Sequence, residues 1–260
     1  MSSPLATSRT STPSRVETLP YFLAVGAAIF LGIHFVVPWL VAQGVPLLFA
    51  FSGALFLPIL AGLLVALGAY RRAGGRWRRA ALVARFRLAR PSRREWLIFV
   101  GAAVGVLLLE GLLEPVAGVL VATLPLPVPP VLPALFDPRV SLAVPPTEFM
   151  GVTLAGAWWV VAVWTVAFVI NVGGEELLWR GYLLPRQEAV FGRWAWLVNG
   201  LLWVVAVHAF MWWTLVGLLP TGLVTPYLVQ RYESTWAGIV VHGLGNALWL
   251  GLLVVGVVGG

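Results

Sequence analysis

A chain of 260 residues that is 60% hydrophobic, 10% charged and of mean hydropathy +0.93 is not a water-soluble domain, in which about a quarter of residues carry charge. Its net charge of +7 comes from 17 basic residues, all Arg, and ten of them fall between Arg71 and Arg94, between two apolar runs. That placement reads as the positive-inside signal with a contribution from anionic headgroups, and not as a nucleic-acid site. Cysteine is absent, which excludes disulfides, thiol nucleophiles and thiolate metal sites.

Residues 1–17 are rich in Ser, Thr and Pro and carry Arg9 and Arg15, so they read as a disordered cytoplasmic tail. Residues 18–260 read as a single transmembrane domain. The first span runs from about Leu19 to Ala42, too long for a signal-peptide core. The second covers about Pro46 to Tyr70, and the Arg-rich loop follows. The third, about Glu95 to Thr123, contains Glu110 and Glu114, four residues apart on one helical face. These two acids read either as channel lining or proton handling, or as partners of an Arg elsewhere or exposed groups. Pro125–Pro146 holds eight prolines and cannot be a regular helix. A fourth span is expected over Phe149–Val172, interrupted at Gly173-Gly174, with a second helical stretch over Glu175–Ala189. Further spans follow at about Trp196–Trp213, Leu215–Val229 and Trp236–Val257. The fold class is therefore all-α, a polytopic transmembrane helical bundle of seven to eight spans. With seven, the tail and the Arg-rich loop share the cytoplasmic side and the Pro-rich loop lies outside. Most of the 14 Trp stand at span ends and read as interface anchors.

Polar chemistry concentrates in the last third, and ionisable groups within spans usually face a protein interior or a water-filled cavity. In Glu175-Glu176-Leu-Leu-Trp-Arg180, Glu176 and Arg180 are four apart and placed to pair. Glu175 is rotated away by about 100°. One carboxylate is clamped and one is left free, and a free carboxylate in a low-dielectric site can act as a general base near neutrality. The alternative is that both acids cap a helix N-terminus after the glycines. His242 and Asn246 are again four apart, with Gly238, Gly243 and Gly245 leaving room for close approach. They could donate to a developing oxyanion, or serve as an interhelical polar pair. His208 stands alone in an apolar run, where it is structural unless the other elements make it a partner for a bound water. A paired-aspartate protease is excluded because the only Asp is Asp137, in the Pro-rich loop. A zinc site with two His four apart is excluded because His34, His208 and His242 are isolated from one another.

Glu175-Glu176-x3-Arg180, then His208, then His242-x3-Asn246, resembles the CPBP family of intramembrane proteases, which includes the type II CAAX prenyl endopeptidases and the bacterial Abi proteins. The resemblance covers about 149–257, the core expected to be catalytic. One departure is visible: the family's second motif usually has Phe four residues before its His, and here that position is Val204, beside Trp203. The resemblance implies that Glu175 activates water with help from His208, that His242 and Asn246 form the oxyanion site, and that Glu176 and Arg180 support the fold. It implies an intramembrane endopeptidase acting on a membrane-associated protein or lipidated peptide, needing the lipid bilayer and no cofactor. Zinc held by Glu175, His208 and His242 is the metal-dependent version. The alternatives are a non-catalytic protein of the same fold, serving in bacteriocin immunity or as a scaffold, and a proton-coupled transporter. The Arg-only, Gly-rich composition points to a prokaryotic cell membrane as the location.

Overall fold

The computed structural model describes residues 17–140 and 144–259, so the expected tail at 1–17 lies, apart from Glu17, outside the described residues. Helices dominate: α1 (Leu19–Ala42), α2 (Leu47–Arg72), α3 (Arg79–Arg85), α4 (Arg93–Thr123), α5 (158–191), α6 (195–207), α7 (Leu219–Tyr232) and α8 (Thr235–Gly259). Among the described residues, five segments are long and apolar enough to cross a bilayer, one of which, Trp158–Val207, holds both α5 and α6.

Two expectations about the fourth span are corrected. Its start moves from Phe149 to Trp158, because Phe149 pairs with Val152 in a small antiparallel hairpin. The turn residues Met150 and Gly151 have φ of 50° and 82°, the positive values a two-residue hairpin turn requires. Gly173-Gly174 does not interrupt the helix. The chain widens into π-turns over Val169–Gly174 and Glu176–Leu183 and continues to Phe191. Glu175–Ala189 is thus the second half of α5. A π-turn accommodates an extra residue while keeping the backbone bonded, and such turns concentrate at functional sites.

At 192–194 the chain reverses, and α6 returns antiparallel to α5. Asn199 Nδ2 donates to the Trp179 carbonyl at 3.0 Å, and Trp203 Nε1 reaches Glu175. The helix ends at His208, short of the expected Trp213, and a 3₁₀ segment, Ala209–Thr214, follows. Helix α7 has 14 residues, about 21 Å at 1.5 Å per residue, less than the ~30 Å hydrocarbon core. It is packed against its neighbours: a methyl group on Gly200 of α6 would strike the Gly222 carbonyl of α7. Helix α4 is the most lipid-like rod, with Leu97, Leu108 and Leu112 each at least two-thirds exposed.

The bundle has two distinct ends. At one, the Arg-rich segment is stapled to the helix termini. Arg87 makes a two-pronged ion pair with Glu188 of α5 (2.7 and 2.5 Å), and Thr235 Oγ1 at the start of α8 donates to the Phe86 carbonyl at 2.6 Å. The carboxylate of Glu188 raises the Arg87 pKa, whereas burial, with Arg186 nearby, pushes Arg85 down to about 10. The start of α1 belongs to this end too, since Tyr21 packs on Tyr182, whose carbonyl accepts from Arg85. The Pro-rich loop, the hairpin and the end of α8 form the opposite end, where Gly156 N–H donates to the Val257 carbonyl. Reporter fusions in 71–94 and in 125–146 are therefore expected to lie on opposite sides of the membrane, the first cytoplasmic. Finding both on one side would refute this arrangement.

Candidate active site

Helix α5 presents two ladders of side chains four residues apart. Glu176 and Arg180 are both fully buried, with Arg180 Nη1 donating to Glu176 Oε1 at 3.1 Å. Asn171, Glu175 and Trp179 form the other ladder. Glu175 is not left without partners as the helical spacing suggests. Its Oε2 accepts from Trp179 Nε1 at 3.0 Å and from Trp203 Nε1 at 2.5 Å. Two neutral indole donors can hold a carboxylate in an apolar surrounding without neutralising it. Trp203 stands beside Val204, the position where the motif departs. Its ring lies over the Arg180 guanidinium at 4.8 Å while its N–H serves Glu175. One indole therefore ties the two carboxylate ladders together.

His208 terminates α6. Its Nδ1 lies 3.1 Å from the Trp203 carbonyl, and a carbonyl only accepts, so Nδ1 carries the hydrogen and Nε2 of the neutral ring keeps its lone pair. His242 on α8 is fixed in the same sense. Its Nδ1 lies 3.1 Å from Glu176 Oε1. Glu176 thus serves Arg180 and His242 together, a link that neither motif reveals alone. Gly238, one turn before His242, makes this possible: a Cβ there would collide with the Glu176 carboxylate. Asn246 Nδ2 donates to the His242 carbonyl at 3.1 Å, and its Oδ1 accepts from Asn171 Nδ2 at 3.2 Å.

These groups meet. Glu175, His208, His242 and Asn246 all line one cavity of about 510 Å³, within the ~300–1,000 Å³ usual for ligand sites. Arg180 and Glu176 stand behind its wall. Asn171, Trp203, Thr221 and Glu110 also line it. Glu114, four residues after Glu110, is exposed and does not. The cavity reaches toward the Pro-rich end, where Phe136, Phe210 and Met211 border it, and no residue of 71–94 does so. His34 is elsewhere, 3.2 Å from the Phe210 carbonyl, and Asp137 pairs with Arg139 in the loop.

Three partners escaped the sequence reading: Asn171, Trp179 and Trp203. Asn171 had a signal, being a lone amide four residues before Glu175. Trp179 and Trp203 had none, because a Trp in an apolar run looks like packing or an interface anchor. Glu110 did not escape it: channel lining is one of the two readings given to this acid within a span, and it lines the cavity. As to metal, Glu175, His208 and His242 share the cavity, but no three His, Asp or Glu side chains among the described residues are grouped to hold an ion. One Glu175 oxygen is also committed to two N–H donors. The residues present do not form a ready zinc site.

Residues 157–248 match the family model described as Type II CAAX prenyl endopeptidase Rce1-like. None of the curated proteins or solved structures matches the chain. The matched stretch is similar to that family of CAAX-type membrane proteases and holds every one of Glu175, Glu176, Arg180, His208, His242 and Asn246.

Proposed function

We propose that the chain is an intramembrane endopeptidase that hydrolyses a peptide bond of a membrane-associated protein by direct attack of a glutamate-activated water. The observation that carries this reading is convergence: side chains from three helices, Glu175, His208, His242 and Asn246, line a single cavity. A water between Glu175 and the His208 Nε2 lone pair gives a proton to the Glu175 carboxylate as its oxygen attacks the carbonyl carbon. The C=O electron pair moves onto oxygen. Asn246 has one amide hydrogen left after serving the His242 carbonyl, and it donates to that oxyanion. Once protonated, His242 donates to the same oxygen through Nε2, because its Nδ1 hydrogen is committed to Glu176. On collapse the C–N bond breaks, and the proton held by Glu175 passes to the leaving nitrogen. The base contributes about 10²–10⁴ in rate and each oxyanion donor about 10²–10³.

The one-sided lining supports a protease over a transporter, whose acids would follow a path between both ends. Leu248 of α8 both lines the cavity and is exposed on the bundle surface, so this wall faces lipid, where a membrane-associated protein or lipidated peptide would arrive. The Arg-rich end is placed on the cytoplasmic side, and the Arg-only, Gly-rich composition supports a prokaryotic cell membrane as the setting. The mechanism uses no metal. Cleavage by purified protein is therefore expected to survive exhaustive chelation nearly unchanged. Loss on chelation, reversed by stoichiometric zinc and not by magnesium, would replace this reading with zinc-activated water.

A further inference from the structure

Glu110 is the cavity acid that the hydrolysis above leaves without a task. It comes from the middle of α4 and lines the same cavity as Glu175 and His242. Apolar side chains share the cavity wall with it: Leu107 on its own helix, and Leu248, Trp249 and Leu252 on α8. Thr221 of α7 is its polar neighbour, yet Oε1 is buried without a hydrogen-bond partner. No Arg or His forms an ion pair with it among the described residues. Arg94, on the same helix, is 16 residues away, about 24 Å along the axis. Arg180 is spent on Glu176 behind the wall, and His242, the titratable side chain within electrostatic reach of Glu110, has its Nδ1 committed to Glu176. A carboxylate in low dielectric without a counter-ion is costly, and a cation delivered to it recovers much of that cost.

We propose that Glu110 is a specificity residue: it receives the positively charged side chain of a Lys or Arg in the membrane-associated segment of the substrate, close to the scissile bond. The proposal deepens the endopeptidase reading and rests on it. A lone Lys or Arg is expensive within a span, so a substrate carrying one would gain by exchanging lipid for this carboxylate. The rest of the wall offers apolar contact to the remainder of such a segment.

The test uses full-length Glu175→Gln protein in nanodiscs, so that peptide is not consumed and Glu175 adds no charge of its own. The probes are 20-residue Leu/Ala transmembrane peptides with a central Lys, Gln or Glu. The Lys peptide is expected to bind about tenfold more tightly than the Gln peptide, the scale of one charge-assisted hydrogen bond, and the Glu peptide more weakly than either. Adding Glu110→Gln should equalise Lys and Gln, and Glu110→Asp should keep part of the difference. Thermal unfolding of the Glu110→Gln protein should occur no lower than that of its parent, because no ion pair is broken. Equal affinities with Glu110 intact, no binding of the Lys peptide, or a preference that survives Glu110→Gln would overturn the proposal. Cleavage of any probe by Glu175→Gln protein would instead overturn the hydrolytic assignment, while the affinities would still judge Glu110.

Discussion

Glu175→Gln is expected to abolish hydrolysis and leave the fold intact. The amide has the length of the carboxylate, and its oxygen can still accept from Trp179 and Trp203, so neither indole is left without a partner. What disappears is the capacity to take a proton from water, a loss of about 10²–10⁴ in rate. Trp203→Phe tests the same atom from the other side. The ring over Arg180 survives and one N–H donor to Glu175 is lost, so cleavage should fall by about tenfold, the cost of one hydrogen bond to a charged group. Both variants should elute as single species and unfold near the wild-type temperature in detergent. Glu175→Gln protein that cuts at more than a tenth of the wild-type rate would remove Glu175 from the role of base.

The neighbouring acid should behave in the opposite way, through stability. Glu176 and Arg180 are both fully buried, and the Nε and Nη2 of Arg180 have no other partner. Glu176→Ala would leave a guanidinium unpaired inside the bundle and deprive His242 of its Nδ1 acceptor. Removing one member of a buried pair costs about 3–5 kcal/mol, a large part of the ~5–15 kcal/mol that holds a typical domain together. The variant should be recovered in low yield with a markedly lower unfolding temperature. Gly238→Ala should produce a similar defect without touching a charge, because its Cβ would displace the Glu176 carboxylate. A Glu176→Ala protein that is stable yet inactive would mean that the two carboxylates have exchanged roles.

The contrast between these two glutamates shows how far local pattern reaches. Their different surroundings follow from position on one helix: Arg180 is four residues from Glu176 and rotated away from Glu175. That spacing survives the π-turns, since both pairs at i and i+4 remain bonded. The same holds for His242 and Asn246, one turn apart on α8. The expected interruption at Gly173-Gly174 failed for a related reason. Glycine weakens a helix by about 1 kcal/mol relative to Ala, too little to break one in a bilayer, where every unpaired backbone group is far more costly.

By itself the sequence determined the membrane-spanning all-α character, the Arg-rich end, and the pairs made within single helices. These depend on composition and on a period of 3.6 residues, which are written along the chain. Tertiary structure alone decided the contacts between helices. It brought Trp203 of α6 to Glu175 and His242 of α8 to Glu176, and it turned Glu110 of α4 into the cavity while leaving Glu114 outside. It also assigned the hydrogen of His208 by setting Nδ1 against a carbonyl. Each of these depends on how rods from distant parts of the chain cross and rotate against one another. No periodicity within one rod encodes that rotation, because it is set by the close approach of small residues such as Gly200, Gly222 and Gly238 to the helix that lies across them.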